Sequence, residues 1–263
     1  MKKFSFIVAA AAALVFASCG NKTQQVAEST DTVSFEQSQI QEKIMVELDS
    51  IADEWGKLAP VEGVFANGKI VLSEEELKAQ PTYLLAPNAA DDLTLLSQKY
   101  RALGMFTVDY QVAKLYKMDT EAYKAAMAKI VADINDPAAA FKETDNTPEA
   151  IKAYYLAEKE NGRINLFWEQ SAAIVVEQLY VMSQNAEKFF PAFDDKSASD
   201  LTYHIALLKL SLDDLATYDN NIKEIVEVLA PLNELNAISV DQLKEQVAKM
   251  KPQIEAARAA LLK

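Results

Sequence analysis

From residue 40 onward the apolar positions recur at helical spacing. Ile40, Ile44, Leu48, Ile51, Trp55 and Leu58 follow one another at steps of three and four, which predicts one amphipathic helix over 40–58. The period then changes. In "VFANGKIVL" (64–72) Asn67–Gly68 separates two short runs rich in β-branched residues, which predicts a small β-hairpin packed on the helices, since both turn positions tolerate positive φ and an isolated hairpin is marginal. Ser73 and Glu76 have the spacing of a capping box and open a short helix that Pro81 stops.

The stretch 91–119 reads as helix throughout, with Gly104 as its weak point. Thr120 caps a helix over 121–134, and 135–146 reads as a loop. Thr147–Pro148 places an N-cap before a proline at the first helical position, opening 149–160, which ends at Asn161–Gly162. "INLFWEQSAAIVVEQLYVMSQNAEKFF" (164–190) is apolar on more than one face, the mark of a helix surrounded by neighbours; Pro191 ends it. "DDKSASD" (194–200) reads as a turn. A helix over 201–218 aligns Leu201, Leu208, Leu212 and Leu215, and 221–235 bends at Pro231. Ser239 and Gln242 open a last helix. There Val240, Leu243, Val247, Met250, Ile254, Ala257 and Leu261 make a heptad seam too short for a rod and interrupted by Pro252. The expected fold is all-α: an antiparallel bundle of about eight helices with one hairpin insertion near 64–72. A solenoid of helical repeats is the alternative, but "YRALG" (100–104) lacks the downstream positions such a repeat needs.

The first 34 residues have a different pattern. Lys2 and Lys3 precede the apolar run "FSFIVAAAAALVFA" (4–17), and "ASC" closes it with small residues. This is the layout of a secretory signal, too short to span a bilayer comfortably. "FASC" before Gly20 looks like a bacterial lipobox, in which Cys19 becomes the first mature residue and carries acyl chains; an ordinary signal with an incidental cysteine is the alternative. The expected organisation is a signal peptide over 1–18, a lipidated N-terminus and polar tether over 19–34, and a single helical domain over 35–263. Neither an acidic cluster nor an aspartate follows Cys19, which favours the periplasmic face of the outer membrane within the cell envelope.

Composition narrows the partners. The net charge is −13, and removal of Lys2 and Lys3 takes it to −15. Such a chain gains no counterion release from nucleic acid and is repelled by anionic headgroups, so its membrane partner is reached through acylated Cys19. Six glycines and eight prolines in 263 residues favour long helices over many short strands. Cys19 is the one cysteine, which excludes an intrachain disulfide.

The candidate chemistry is sparse. His204 is the single histidine, so paired Glu-x-x-His units and a two-histidine zinc helix are both out of reach, and on its apolar face a core role is the simpler reading. No Gly-x-Ser-x-Gly elbow, Walker loop or dinucleotide fingerprint occurs. "DDKSASD" lacks the alternating oxygens and glycine of a calcium loop. Glu169 and Glu177 share a face of the most apolar helix, two turns apart; they are either a functional carboxylate pair or a wet edge paired with lysine. Tyr180, like Tyr100, Tyr110, Tyr116, Tyr154 and Tyr155, either lines an amphipathic pocket or packs with its hydroxyl at a rim. No metal and no cofactor is expected.

"KYRALGMFTVDYQVAKLY" (99–116), with Leu103–Gly104, Asp109 and Ala113, resembles a segment of uncharacterised all-helical lipoproteins of Bacteroidetes. The Asn161–Gly162–Arg163 turn with the apolar helix after it, and "APLNEL" (230–235) with the final helix, are similar to the same group, so the resemblance runs over about 90–263. Trp168–Glu169 stands where the group more usually has small residues. The resemblance implies a helical fold, an envelope address and no known activity, and it marks Asp109 and Arg163 as candidate interaction residues. The function expected is a non-catalytic, lipid-anchored binding or scaffolding module for an envelope protein. A periplasmic carrier with a pocket near Glu169 and Tyr180 is the second choice and an unrecognised hydrolase the third.

Overall fold

A computed structural model describes residues 35–58, 63–66, 68–140 and 147–263, so Cys19 and the stretches expected to form a signal peptide and a tether lie outside the described residues. The described chain is all-helical: α1 (Phe35–Lys57), α2 (Gly63–Ala66), α3 (Glu74–Lys78), α4 (Leu96–Leu115), α5 (Glu121–Ile134), α6 (Pro148–Glu160), α7 (Ile164–Gln184), α8 (Ala186–Phe189), α9 (Asp195–Leu215), α10 (Asn220–Leu229), α11 (Val240–Lys249) and α12 (Lys251–Leu261).

The ends follow local chemistry. Ser73 and Glu76 make the reciprocal capping box on α3. Thr147 accepts the Ala150 amide at 3.2 Å ahead of Pro148. Gly162, at φ 68°, turns the chain between α6 and α7.

The centre of the molecule is the α4–α7 pair, the most extensive helix contact, with α5, α6, α9 and α12 around it. α7 is buried on nearly every side, as its all-round apolar pattern predicts. Gly104 is not a weak point but a contact point. A Cβ there would sit 2.7 Å from the Gln170 carbonyl oxygen, so only glycine lets the two helices approach this closely. The larger apolar cluster runs from Leu48 and Trp55 through Trp168, Leu179 and Leu208 to Ile254; a smaller one fills the space between α4 and α5 around Phe106 and Ile130.

Several expectations are corrected. The hairpin near 64–72 does not form. Val64 and Phe65 lie in the helical turn α2, Gly68 bends the chain at φ 73°, and residues 69–72 run without a partner strand; Asn67 lies outside the described residues. Phe65 packs edge-on against Phe189 at 5.2 Å and Ile70 is buried, so burial on helices satisfies side chains that otherwise suit cross-strand pairs. Among the described residues twelve helices replace about eight: α2 and α8 are four residues each, Asn185 breaks the predicted 164–190 helix, and Met250 before Pro252 breaks the last. Helix α4 starts at Leu96 rather than at 91, because Pro87–Asp91 forms a separate 3₁₀ turn. "DDKSASD" is a helix start: Asp194 accepts the Ser197 amide at 2.8 Å and opens α9.

Candidate functional site

The three arginines of the chain, Arg101, Arg163 and Arg258, all turn toward buried carboxylates. Guanidinium suits this role, being planar, permanently charged and less strongly hydrated than ammonium.

The innermost group joins α4, α7 and α12. Arg258 clamps Glu177 with two bonds, Nε to Oε2 at 2.6 Å and Nη2 to Oε1 at 2.9 Å, and its guanidinium lies 4.1 Å from the Tyr180 ring centroid. Asp109, wholly buried, faces the same Glu177. Its Oδ2 accepts the Leu85 amide at 2.7 Å, whereas its Oδ1 meets no N–H or hydroxyl donor. Burial first, then the Glu177 charge, pushes Asp109 well above the carboxylate range. Burial also lifts Glu177, but Arg258 opposes it. Two facing carboxyls, only one of them bonded to a cation, cannot both ionise cheaply in a dry interior, so they share a proton: Asp109 is the acid and Glu177 the carboxylate. This resolves the unpartnered oxygen, because a protonated Asp109 donates to Glu177.

A second group of the same kind lies nearer the surface. Tyr100 donates to Asp136 and lies 3.3 Å from Glu158 Oε2. Arg163 reaches the Tyr100 oxygen at 3.1 Å and Asp136 at 3.3 Å. Glu158 Oε1 again has no ordinary donor. Burial and the adjoining Asp136 push Glu158 up to about 8. Burial acts on Asp136 too, but hydrogen bonds from Glu158, Tyr100 and the Ala138 amide outweigh it and hold Asp136 low. Here Glu158 is the acid.

The third arginine makes a simple pair. Arg101 meets Glu169 at 2.5 Å and donates through Nε to the Leu261 carbonyl at 2.6 Å, which satisfies an end of α12. Burial raises Glu169 and Arg101 counteracts it.

Of the sequence candidates, Asp109, Glu177 and Tyr180 come together. Arg163 belongs to the second group and Glu169 to the third pair. His204 stands apart, its ring 4.3 Å from that of Trp55, and burial lowers it to about 4. Glu169 and Glu177 share a helix face as expected, but the edge they mark is buried and each pairs with its own arginine. Arg101 lies against Glu169, and Arg258 lies over the Tyr180 ring. Asp136, Glu158 and Tyr83 carried no sequence signal. Arg258 did: it lies four residues after Ile254 and three before Leu261, on the flank of an otherwise apolar seam.

Elsewhere, an apolar groove between α7, α9 and α10, lined by Val176, Leu208, Leu212, Val226 and Leu229, has a volume of about 20 Å³, room for roughly one water. Among the described residues no cluster of His, Cys, Asp and Glu could hold a metal ion, and no helix is long and apolar enough to cross a membrane. A scan against protein-family models finds no match, and searches of the curated proteins and of the solved structures find none either.

Proposed function

We propose that the chain is a lipid-anchored, non-catalytic helical module of the cell envelope, related to the helical lipoproteins of Bacteroidetes that it resembles. It is held by acylated Cys19 at the periplasmic face of the outer membrane and presents its bundle to an envelope protein. The carrying observation is the inward commitment of the convergent charges. Asp109, Asp136, Glu158, Glu169 and Glu177 are all at most 2% exposed, and the three arginines pair with Glu169, Asp136 and Glu177. Groups withdrawn in this way rigidify a body; a reaction centre needs them facing substrate. The carrier reading has less support, because a hollow of about 20 Å³ is far below the size of ordinary ligand sites.

The test is fractionation followed by capture. Wild-type protein should sediment with membranes, and Cys19→Ser should become soluble or stay unprocessed. Extraction in mild detergent should yield a stoichiometric protein partner. A substituted protein that stays firmly membrane-bound would refute the anchor, and a bound small molecule in place of a partner would favour the carrier.

A further inference from the structure

The residues between α3 and α4 include a strap, 79–86, with no regular secondary structure, that lies over the innermost acid pair. Its Leu84 and Leu85 pack on the core, and its Tyr83 ring meets Tyr180 edge-on at 6.4 Å. One backbone hydrogen bond fastens it to the buried charges, from the Leu85 amide to Asp109 Oδ2 at 2.7 Å. We propose that Asp109 and Glu177 form a proton-operated latch: the proton they share fastens the 79–86 strap onto the α4–α7 seam, and its loss at alkaline pH releases the strap.

The charges around the pair set the direction. Arg258 of α12 supplies one positive charge, already clamped to Glu177. Glu255 of α12 adds a negative charge near Tyr180. Tyr83 of the strap, Tyr123 of α5 and Tyr180 of α7 are all held above the ordinary phenol range, chiefly by burial, and stay neutral. When the shared proton leaves, the Leu85 amide bonds the ionised Asp109 more strongly, but burial of the new charge and the facing Glu177 carboxylate outweigh that one bond, so two carboxylates face one guanidinium and Asp109 must be hydrated. Water enters most easily from the strap side. Helices α4, α7 and α12 are held together by extensive packing, by the Arg258 clamp and by Arg101, whereas the strap is held by a few side chains and one amide. Release uncovers a cleft lined by Asp109, Glu177, Arg258 and Tyr180.

Amide hydrogen exchange on the full chain tests the latch, with protection factors corrected for the intrinsic pH dependence of exchange and followed from neutral into alkaline pH. Amides 83–86 should lose protection by up to about tenfold per pH unit, the signature of one proton released on opening, while α7 amides keep theirs. Asp109→Asn preserves both contacts, its oxygen accepting from Leu85 and its amide donating to Glu177, and should keep the strap protected without a slope. Glu158→Gln should leave the strap's slope in place. A flat wild-type profile, a strap that loses protection only together with α7, an unchanged slope in Asp109→Asn, or a slope abolished by Glu158→Gln would each overturn the proposal. The wild-type comparison of strap with α7 decides the matter even if the variants fold poorly.

Discussion

Two acid–carboxylate pairs, each with an arginine and a tyrosine, occupy different depths of one bundle. In the inner group Arg258 grips Glu177 with two bonds, both carboxyls are wholly buried, and a strap amide fills the remaining valence of Asp109. In the outer group Arg163 has a side chain 28% exposed and touches Asp136 only once, at 3.3 Å. The inner pair crosses the α4–α7 seam; the outer pair ties α6 to the turn after α5. The same chemistry thus serves two ends. At depth it makes charges inseparable from packing, and near the surface it makes a group whose proton comes off close to neutrality.

Removing the arginines should separate the two most sharply. Arg258→Ala strands a buried carboxylate and should cost about 3–5 kcal/mol. Arg163→Ala, where water replaces the guanidinium, should cost about 1–2 kcal/mol. Equal shifts in the urea unfolding midpoint would erase the distinction. Gly104→Ala should come next, at about 1–3 kcal/mol from forcing the helices apart, less the roughly 1 kcal/mol that alanine gains as a helix former. It should also move the titration of Asp109 while leaving that of Glu158 alone, because only the inner pair spans that seam.

The pH dependence has a definite sign. Glu158 rises from an ordinary value of 4.5 to about 8 on folding, so the folded state binds more protons. Its stabilisation is complete below pH 4.5 and is lost as pH rises through about 8, with a slope of at most about 1.4 kcal/mol per pH unit. Glu158→Gln should flatten that limb in denaturation measured across pH; an unchanged profile would show that Glu158 ionises normally. His204 gives the opposite limb. It falls from 6.5 to about 4, so stability declines as pH drops through that window. The smallest effect expected is that of Tyr100→Phe, about 1 kcal/mol for the hydroxyl shared by Asp136 and Arg163, again read from the unfolding midpoint.

The sequence is informative where the physics is local and quiet where it is not. Helix period, the Ser73–Glu76 box and the Thr147–Pro148 start rest on neighbours along the chain, and all stand in the structure. The Asn-Gly hairpin failed because burial of Phe65 and Ile70 on distant helices outweighed a local turn preference. Gly104 reads as a defect along α4 and becomes a contact only when Gln170, 66 positions away, is brought against it. The site divides in the same way. Glu177 stood out as a carboxylate in the most apolar helix, Tyr180 as one of several amphipathic tyrosines and Asp109 only through the resemblance, whereas their partner Arg258 lies 81 residues from Glu177. Asp136 and Glu158 lie in ordinary polar stretches, and only the fold makes them a pair.

The central claim is that each pair holds one proton at neutral pH, on Asp109 and on Glu158. Side-chain carboxyl ¹³C resonances report this directly, since protonated and ionised carboxyls differ in shift. At about pH 7 the account predicts protonated shifts for Asp109 and Glu158 and ionised shifts for Glu177 and Asp136, with Glu158 titrating at about 8 and Asp109 staying protonated beyond the ordinary carboxylate range. Ionised shifts for all four carboxyls at that pH would contradict it.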